Sequence, residues 1–363
     1  MESHRVSFLE VENVRKDFGD YHALRDVSFA VEKGEVVTLL GPSGCGKTTM
    51  LRALAGLETI DRGRIALGGR ELAHDGRVHL AAEKRGIGMV FQSYALWPHK
   101  TIFENIGLGL RLKKMPQADI AARVRWALDI VGLPGSESRF PSSLSGGQQQ
   151  RISLARALAL EPTCLLFDEP MSNLDVSLRE KMRFEIRTIM NDAGITSVYV
   201  THDHEEAMVV SDRIMIMQSG RIVQQGSPRE IYLRPKSRFV AEFLGGANLF
   251  PLDVERSVPV EGQFVTTGGL MLRGSPVEAL PPDPLVFFRA EALRHGSAEE
   301  EGATVLRATV ESACFLGGAI QCGLRASGMA IAASLPVVPE VSVGEQIELV
   351  LSPQSVSVIA DCH

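Results

Sequence analysis

No apolar run in this 363-residue chain approaches the roughly 20 residues that a membrane-spanning helix needs. The longest stretches, Val36 to Leu40 and Cys164 to Phe167, are strand-sized, so the chain is not expected to cross a membrane by itself. Basic charge is in deficit as well. With 38 Lys and Arg against 44 Asp and Glu the net charge is -6, which argues against nucleic acid as the main partner, because neutralising phosphates calls for a basic face. Cysteine is sparse: Cys45, Cys164, Cys314, Cys322 and Cys362 are odd in number and lack a paired spacing, which reads as reduced, mostly structural thiols and not a disulfide framework or a zinc site. The opening Met1-Glu2-Ser3-His4-Arg5 lacks the basic-then-apolar layout of a signal peptide, so a cytosolic location is expected. Long low-complexity segments and a solenoid period are missing too.

What is present is enough apolar material, 45% of residues, for a core in each of two domains. The first segments alternate apolar and polar residues (Val6 to Val11, Val27 to Val31), as strands of an antiparallel sheet do. From Glu35 continuous apolar strands (Val36 to Leu40, Cys164 to Phe167, Ser197 to Thr201, Ile214 to Met217) alternate with helical stretches such as Thr48 to Leu57 and Leu178 to Met190. That alternation predicts an α/β fold whose parallel sheet core is covered on both faces. A helical insertion at about 95–145 carries apolar residues at helical spacing, Ile102, Ile106 and Leu110, then Ile120, Val124, Leu128 and Val131. After Gly245-Gly246 the pattern becomes short alternating strands, for example Ala308 to Glu311 and Gln346 to Leu349. The expected organisation is therefore one domain over 1–245 and a small all-β domain over 246–363.

Gly41-Pro42-Ser43-Gly44-Cys45-Gly46-Lys47-Thr48-Thr49 matches the phosphate-loop pattern GxxxxGK[ST] between an apolar strand and a helix. Its glycines let backbone N–H groups converge on phosphates, the helix N-terminus adds a favourable dipole, Lys47 reaches the β- and γ-phosphates and Thr48 can ligate Mg²⁺. ATP is the nucleotide expected there. Within the loop, Cys45 has Lys47 and the helix N-terminus for neighbours, which favours its thiolate. The strand Cys164 to Phe167 runs into Asp168-Glu169, so Asp168 is the expected Mg²⁺ partner and Glu169, one residue on, the general base for an attacking water. Leu144-Ser145-Gly146-Gly147-Gln148, continued by Gln149-Gln150-Arg151 into a helical run, is a second glycine-lined helix N-terminus, and so a second anion site on one chain.

Over residues 5 to about 243 this order of motifs resembles the ATP-binding subunits of ABC transporters, with Leu144 to Gln148 as the family's signature sequence. The resemblance implies a head-to-tail homodimer in which the signature residues Ser145, Gly146, Gly147 and Gln148 of one subunit close over the γ-phosphate held by the other's phosphate loop. It implies that Phe18 stacks on adenine, that Gln92 links the metal site to the helical insertion, that Asp175 in Ser172-Asn173-Leu174-Asp175 lies across the dimer interface, and that His202 contacts the γ-phosphate. Where family members can carry Leu before that tetrapeptide this chain has Met171, a volume-conserving change.

Two further clusters have plain readings. His202-Asp203-His204-Glu205-Glu206 could ligate zinc, but acids in a helix's first turn are expected from the dipole alone. Arg111-Leu112-Lys113-Lys114 reads as a solvated loop. Trp97-Pro98-His99 would suit a docking groove for a membrane subunit's helix. In the C-terminal part, Phe287 to Glu291, Phe315 to Gly318 and Val343 to Gln346 look like landmarks of the transport-associated OB-type domain of importer ATPases of the maltose, polyamine and iron class, with Ala290 where a proline is usual.

The expectation is an ATPase on the cytoplasmic face of the inner membrane, working under two permease subunits fed by an extracytoplasmic solute-binding protein, for a solute such as ferric iron or a polyamine. The alternative is a soluble ABC ATPase with a regulatory role. That class is expected to bring a tandem cassette, zinc-ligand cysteines or a long coiled coil, and this chain has none of them.

Overall fold

The structure, a computed structural model, describes residues 7–296 and 302–361; Met1 to Val6 and Cys362 lie outside the described residues. Contacts between Cα atoms divide the chain into two compact units, Met1–Pro228 and Arg229–His363.

The first unit runs, in chain order, β1 (Leu9–Phe18), β2 (Tyr21–Val31), β3 (Val36–Leu40), α1 (Lys47–Ala55), β4 (Arg62–Leu67), β5 (Arg70–His74), β6 (Arg77–Val78), β7 (Ile87–Val90), α2 (Ile102–Leu112), α3 (Gln117–Ile130), α4 (Gly146–Ala159), β8 (Cys164–Asp168), α5 (Val176–Ala193), β9 (Thr196–Thr201), α6 (His204–Val210), β10 (Arg213–Gln218) and β11 (Arg221–Gly226). The early strands pair antiparallel in the order β2-β1-β4-β5-β6. The second sheet is ordered β11-β10-β3-β9-β8-β7. Its five strands from β10 to β7 are parallel, and β11 adds an antiparallel edge.

The continuous apolar strands are explained by burial on both sides of this sheet. Alternate residues point to opposite faces: Leu165, Phe167 and Tyr199 join the core shared with α2 to α5, while Cys164, Leu166, Val198 and Val200 join the core shared with α1 and the antiparallel sheet. In the helical layer Ile102, Ile106, Leu110, Ile120, Val124 and Leu128 are all buried, each worth about 1.5–3 kcal/mol relative to exposure. Thr101 and Glu104 form a reciprocal capping box that starts α2.

The second unit holds the remaining strands: β12 (Ala247–Pro251), β13 (Gln263–Val265), β14 (Met271–Arg273), β15 (Pro284–Arg289), β16 (Leu293–His295), β17 (Thr304–Phe315), β18 (Ile320–Ala326), β19 (Met329–Leu335), β20 (Gln346–Leu351) and β21 (Ser357–Ala360). They form antiparallel sheets ordered β12-β15-β21, β13-β14 and β16-β20-β17-β18-β19. Two short helices, α7 (Pro228–Leu233) and α8 (Arg238–Phe243), precede them. They are tied in by buried Arg289, which donates to the carbonyls of Tyr232, Ala241 and Gly245 and stacks on the Tyr232 and Phe287 rings at 4.3 and 4.9 Å. The compact division therefore precedes the change in composition at Gly245-Gly246. At Ala290 the backbone N–H donates to the carbonyl of Gly246 at 2.8 Å, a bond that a proline there could not make.

Candidate functional site

Four neighbouring parallel strands end at the same edge of the sheet, and each delivers a residue singled out from the sequence. The loop Gly41–Thr49 follows β3, His202 follows β9, Asp168 and Glu169 end and follow β8, and Gln92 follows β7. The carboxyl edge of an open parallel sheet is where such folds hold ligands.

The loop's glycines are required by space and conformation. A Cβ on Gly41 would come within 2.3 Å of the Met217 carbonyl. Gly46, at φ 106°, starts α1, and a Cβ there would meet the Ala23 carbonyl at 2.4 Å. Ser43 and Gly44 are exposed, Thr48 and Thr49 half-buried in the first turn of α1. Lys47 is buried, its Nζ donating to the carbonyls of Gly41 at 2.7 Å and Pro42 at 2.9 Å. Cys45 corrects an expectation. It lies 3.8 Å from Lys47 Nζ, yet burial pushes its thiol above the usual range, and the nearby lysine only partly opposes this.

Asp168 is half-buried and its carboxyl is held above the usual range, first by burial and then by Glu169, with Arg52 pulling the other way. Glu169 sits in left-handed backbone, φ 43°, a conformation that residues with a Cβ seldom adopt away from functional sites. Its N–H donates to the Val200 carbonyl at 3.0 Å, and its Oε2 is 3.1 Å from Nδ1 of exposed His202. Behind them, the acids after His202 are engaged in ways unlike a metal cluster: Asp203 and Glu205 meet Arg183 at 3.1 and 2.8 Å, and buried Glu206 accepts from Thr201 at 2.6 Å and from the Tyr199 hydroxyl. Gln92 is exposed, and its carbonyl accepts from Asn173 Nδ2 at 2.8 Å.

Phe18 ends β1 with its ring exposed and Lys16 Nζ 5.0 Å from the ring centroid. Its cross-strand partner Tyr21 donates its hydroxyl to the carbonyl of Gly44. An exposed aromatic face is thus tied to the phosphate loop. Tyr21 was not singled out from the sequence; its alternation with Phe18 across the Gly19-Asp20 turn was the available signal.

Ser145, Gly146, Gly147 and Gln148 open α4 in the helical layer. Among the described residues no hydrogen bond or ion pair joins them to Gly41–Thr49. Ser145 and Gln148 cap each other, Oγ accepting from the Gln148 N–H at 3.3 Å and Oε1 from the Ser145 N–H at 3.1 Å. A Cβ on Gly146 would meet Leu174 at 3.1 Å and the Tyr94 hydroxyl at 3.4 Å, and one on Gly147 would meet Leu178 at 2.9 Å. Asp175 caps α5, accepting from the Leu178 N–H at 3.0 Å. One residue here gave no sequence signal, because a polar side chain inside an amphipathic helix reads as its solvated face: Asn105, fully buried, accepts from the Trp97 N–H at 2.7 Å and donates to the carbonyls of Trp97, Lys100 and Thr101. It fixes the loop on which Trp97 stays exposed, edge-on to His99 at 5.8 Å.

A family profile described as ABC transporter matches residues 24–172. An Fe(3+) ions import ATP-binding protein of Escherichia coli (strain K12) is 41% identical over 98% of both chains. A sulfate/thiosulfate import ATP-binding protein of Chromobacterium violaceum is 46% identical over 88% of this chain and 85% of its own length. Among solved structures, a dimeric ATP-binding cassette in a post-hydrolysis state bound to ADP and phosphate is similar with a TM-score of 0.52 and 31% identity, covering 61% of this chain and 99% of that one. A component of a Clostridium perfringens ABC transporter complex is similar with a TM-score of 0.57 and 28% identity, over 62% and 90%.

Proposed function

The chain belongs to the ABC transporter family of ATP-binding proteins, and from that premise we propose how this import ATPase divides its site between two copies of itself. It is an ATP-hydrolysing subunit that works with membrane permease components. The observation that carries the reading is that four strand ends collect Gly41–Thr49, Asp168, Glu169, His202 and Gln92 at one sheet edge while the capped signature turn lies elsewhere in the same unit.

In this reading ATP lies along the phosphate loop with adenine on Phe18 and its phosphates against the backbone N–H groups of Gly44 to Thr49 and Lys47. Glu169, aimed by its left-handed backbone and held by His202, takes the proton of the attacking water, and His202 is placed to contact the γ-phosphate. The oxygen donors Thr48, Gln92 and Asp168 are the kind a hard divalent cation takes, and a half-buried carboxylate beside a second acid is suited to such an ion. Mg²⁺ there would neutralise charge on the phosphates. Ser145 to Gln148 and Asp175 act on the partner's nucleotide, so the unit is a homodimer closed by ATP. Trp97 to His99 would receive a permease helix.

The solute we propose is ferric iron, supported by the name and coverage of the E. coli relative, delivered through two permeases at the inner membrane by an extracytoplasmic binding protein. The C-terminal unit, of OB type, would hold the two subunits together while the nucleotide sites open. Reconstitution with the cognate permease and binding protein tests this directly: ⁵⁵Fe(III) should accumulate with ATP and not with Glu169→Gln. Accumulation of ³⁵S-sulfate instead would keep the ATPase reading and overturn the solute.

A further inference from the structure

Helix α4 carries a buried amide that the site above leaves unused. Gln150 is fully buried, yet among the described residues neither its Nε2 nor its Oε1 has a hydrogen-bond partner. An unpaired buried amide is unfavourable and calls for an explanation. Gly146 and Ser153, four residues before it and three after, share its helix face. Both meet the loop after β7: a Cβ on Gly146 would lie 3.4 Å from the Tyr94 hydroxyl, and Ser153 Oγ donates to the Tyr94 carbonyl at 3.0 Å. Arg156, three residues further, donates to the same carbonyl at 3.0 Å and to that of Ala95. Tyr94 and Ala95 both occupy left-handed backbone, φ 56° and 50°, which a Cβ disfavours. The strained pair begins two residues after Gln92.

We propose that Gln150 is a positioning residue for hydrolysis: its amide pairs with the backbone of Tyr94-Ala95 when that pair leaves the left-handed conformation, so that the loop carrying Gln92 and the helix opened by Ser145 change state together. The inference rests on the ATP reading above. In the state described here Ser153 and Arg156 hold the loop and the Gln150 amide is unpaired; in the other, Gln150 supplies the bond that keeps the relaxed loop in place. Trp97, exposed on the same loop, reports the change, because Trp126 is the only other tryptophan.

In a Trp126→Phe parent, MgATP should change Trp97 emission. Gln150→Met, close in volume and unable to donate or accept strongly, should bind ATP with unchanged affinity and unfold at no lower temperature, while losing at least half of the emission change and about ten-fold in kcat. Ala95→Gly, which favours the left-handed loop, should need more ATP for half the emission change, and Ala95→Val less. Full emission change and parental kcat in Gln150→Met would overturn the proposal. So would an absent Trp97 response in a parent that binds and hydrolyses ATP, which leaves the ATP reading standing; a parent that does not bind ATP refutes that reading instead. If Gln150→Met does not fold, equal ATP requirements for the two Ala95 variants decide against the proposal.

Discussion

Two helices of the first unit begin at glycine-rich turns, and their N-termini are arranged in opposite ways. At α1 the residue before the helix is Gly46 in left-handed backbone, and among the described residues no side chain caps the turn. At α4 it is Ser145 in extended backbone, and Ser145 and Gln148 satisfy each other's N–H groups. A helix leaves its first N–H groups without intrahelical partners. The phosphate loop leaves them open to an anion, whereas the signature turn already satisfies two N–H groups with its own side chains. Similar glycine content thus yields an uncapped helix start in one place and a self-capped turn in the other, and in the proposed dimer the second turn would meet the phosphate that the partner brings.

The comparison breaks most visibly at the chemistry of the first turn's neighbours. Glu169→Gln keeps shape and hydrogen bonding but removes the proposed base, so if that reading holds hydrolysis should fall by about 10² or more while nucleotide binding persists and the proposed closed dimer accumulates. Turnover and sedimentation with MgATP check this, and parental turnover removes Glu169 from its role. A second experiment asks whether the two turns belong to one site. Ser145→Arg and Lys47→Ala should each be inactive alone, and mixing them should restore one intact composite site. Heterodimers that form without regaining activity would show that each subunit works by itself.

Smaller effects follow from burial. The Asp168 carboxyl is held above the ordinary range, so its charged form is better accommodated in the unfolded chain, and the nucleotide-free protein loses stability as pH rises through the carboxyl range. Asp168→Asn should therefore unfold at a higher temperature than the parent at pH 7, with the gap closing as pH falls toward 4, even though hydrolysis is lost; a lower midpoint at pH 7 contradicts this. Least in size is the thiol of the phosphate loop. With Cys45 buried and its thiol pushed up, exposed Cys314 should react with a thiol reagent before the other described cysteines, and Cys45 should follow slowly, faster at higher pH and slower with MgATP. Peptide mapping of the labelled sites measures the order.

The parallel sheet was legible because strands buried on both faces have no alternation to hide: Val36 to Leu40 was bounded from its apolar run and is β3. The phosphate loop was legible because spacing alone specifies it. The loop's thiol was read with the wrong sign, since sequence shows neighbouring charge but not that only 3% of Cys45 is exposed. The left-handed turn at Glu169, the Tyr21 bond to Gly44 and the buried bonds of Asn105 each join residues whose proximity is created by tertiary packing, and no local pattern encodes them. Composition changes at Gly245-Gly246, but the second unit begins earlier, at Arg229, and Arg289 reaches back from β15 to hold the preceding helices, a contact between residues more than 40 apart.

The strand order has a consequence for how the chain is made. Among the described strands, β3, which positions the phosphate loop, pairs only with β9 and β10. During synthesis Val36 to Leu40 therefore leaves the ribosome with no sheet neighbour until the chain has been extended through β9 to Thr201. At about 5–20 residues per second that interval is roughly 8 to 32 s. The nucleotide cradle is thus among the first segments translated but waits for β9 to gain a sheet neighbour, and a nascent chain stalled before β9 carries the full phosphate-loop sequence without a strand to hold it.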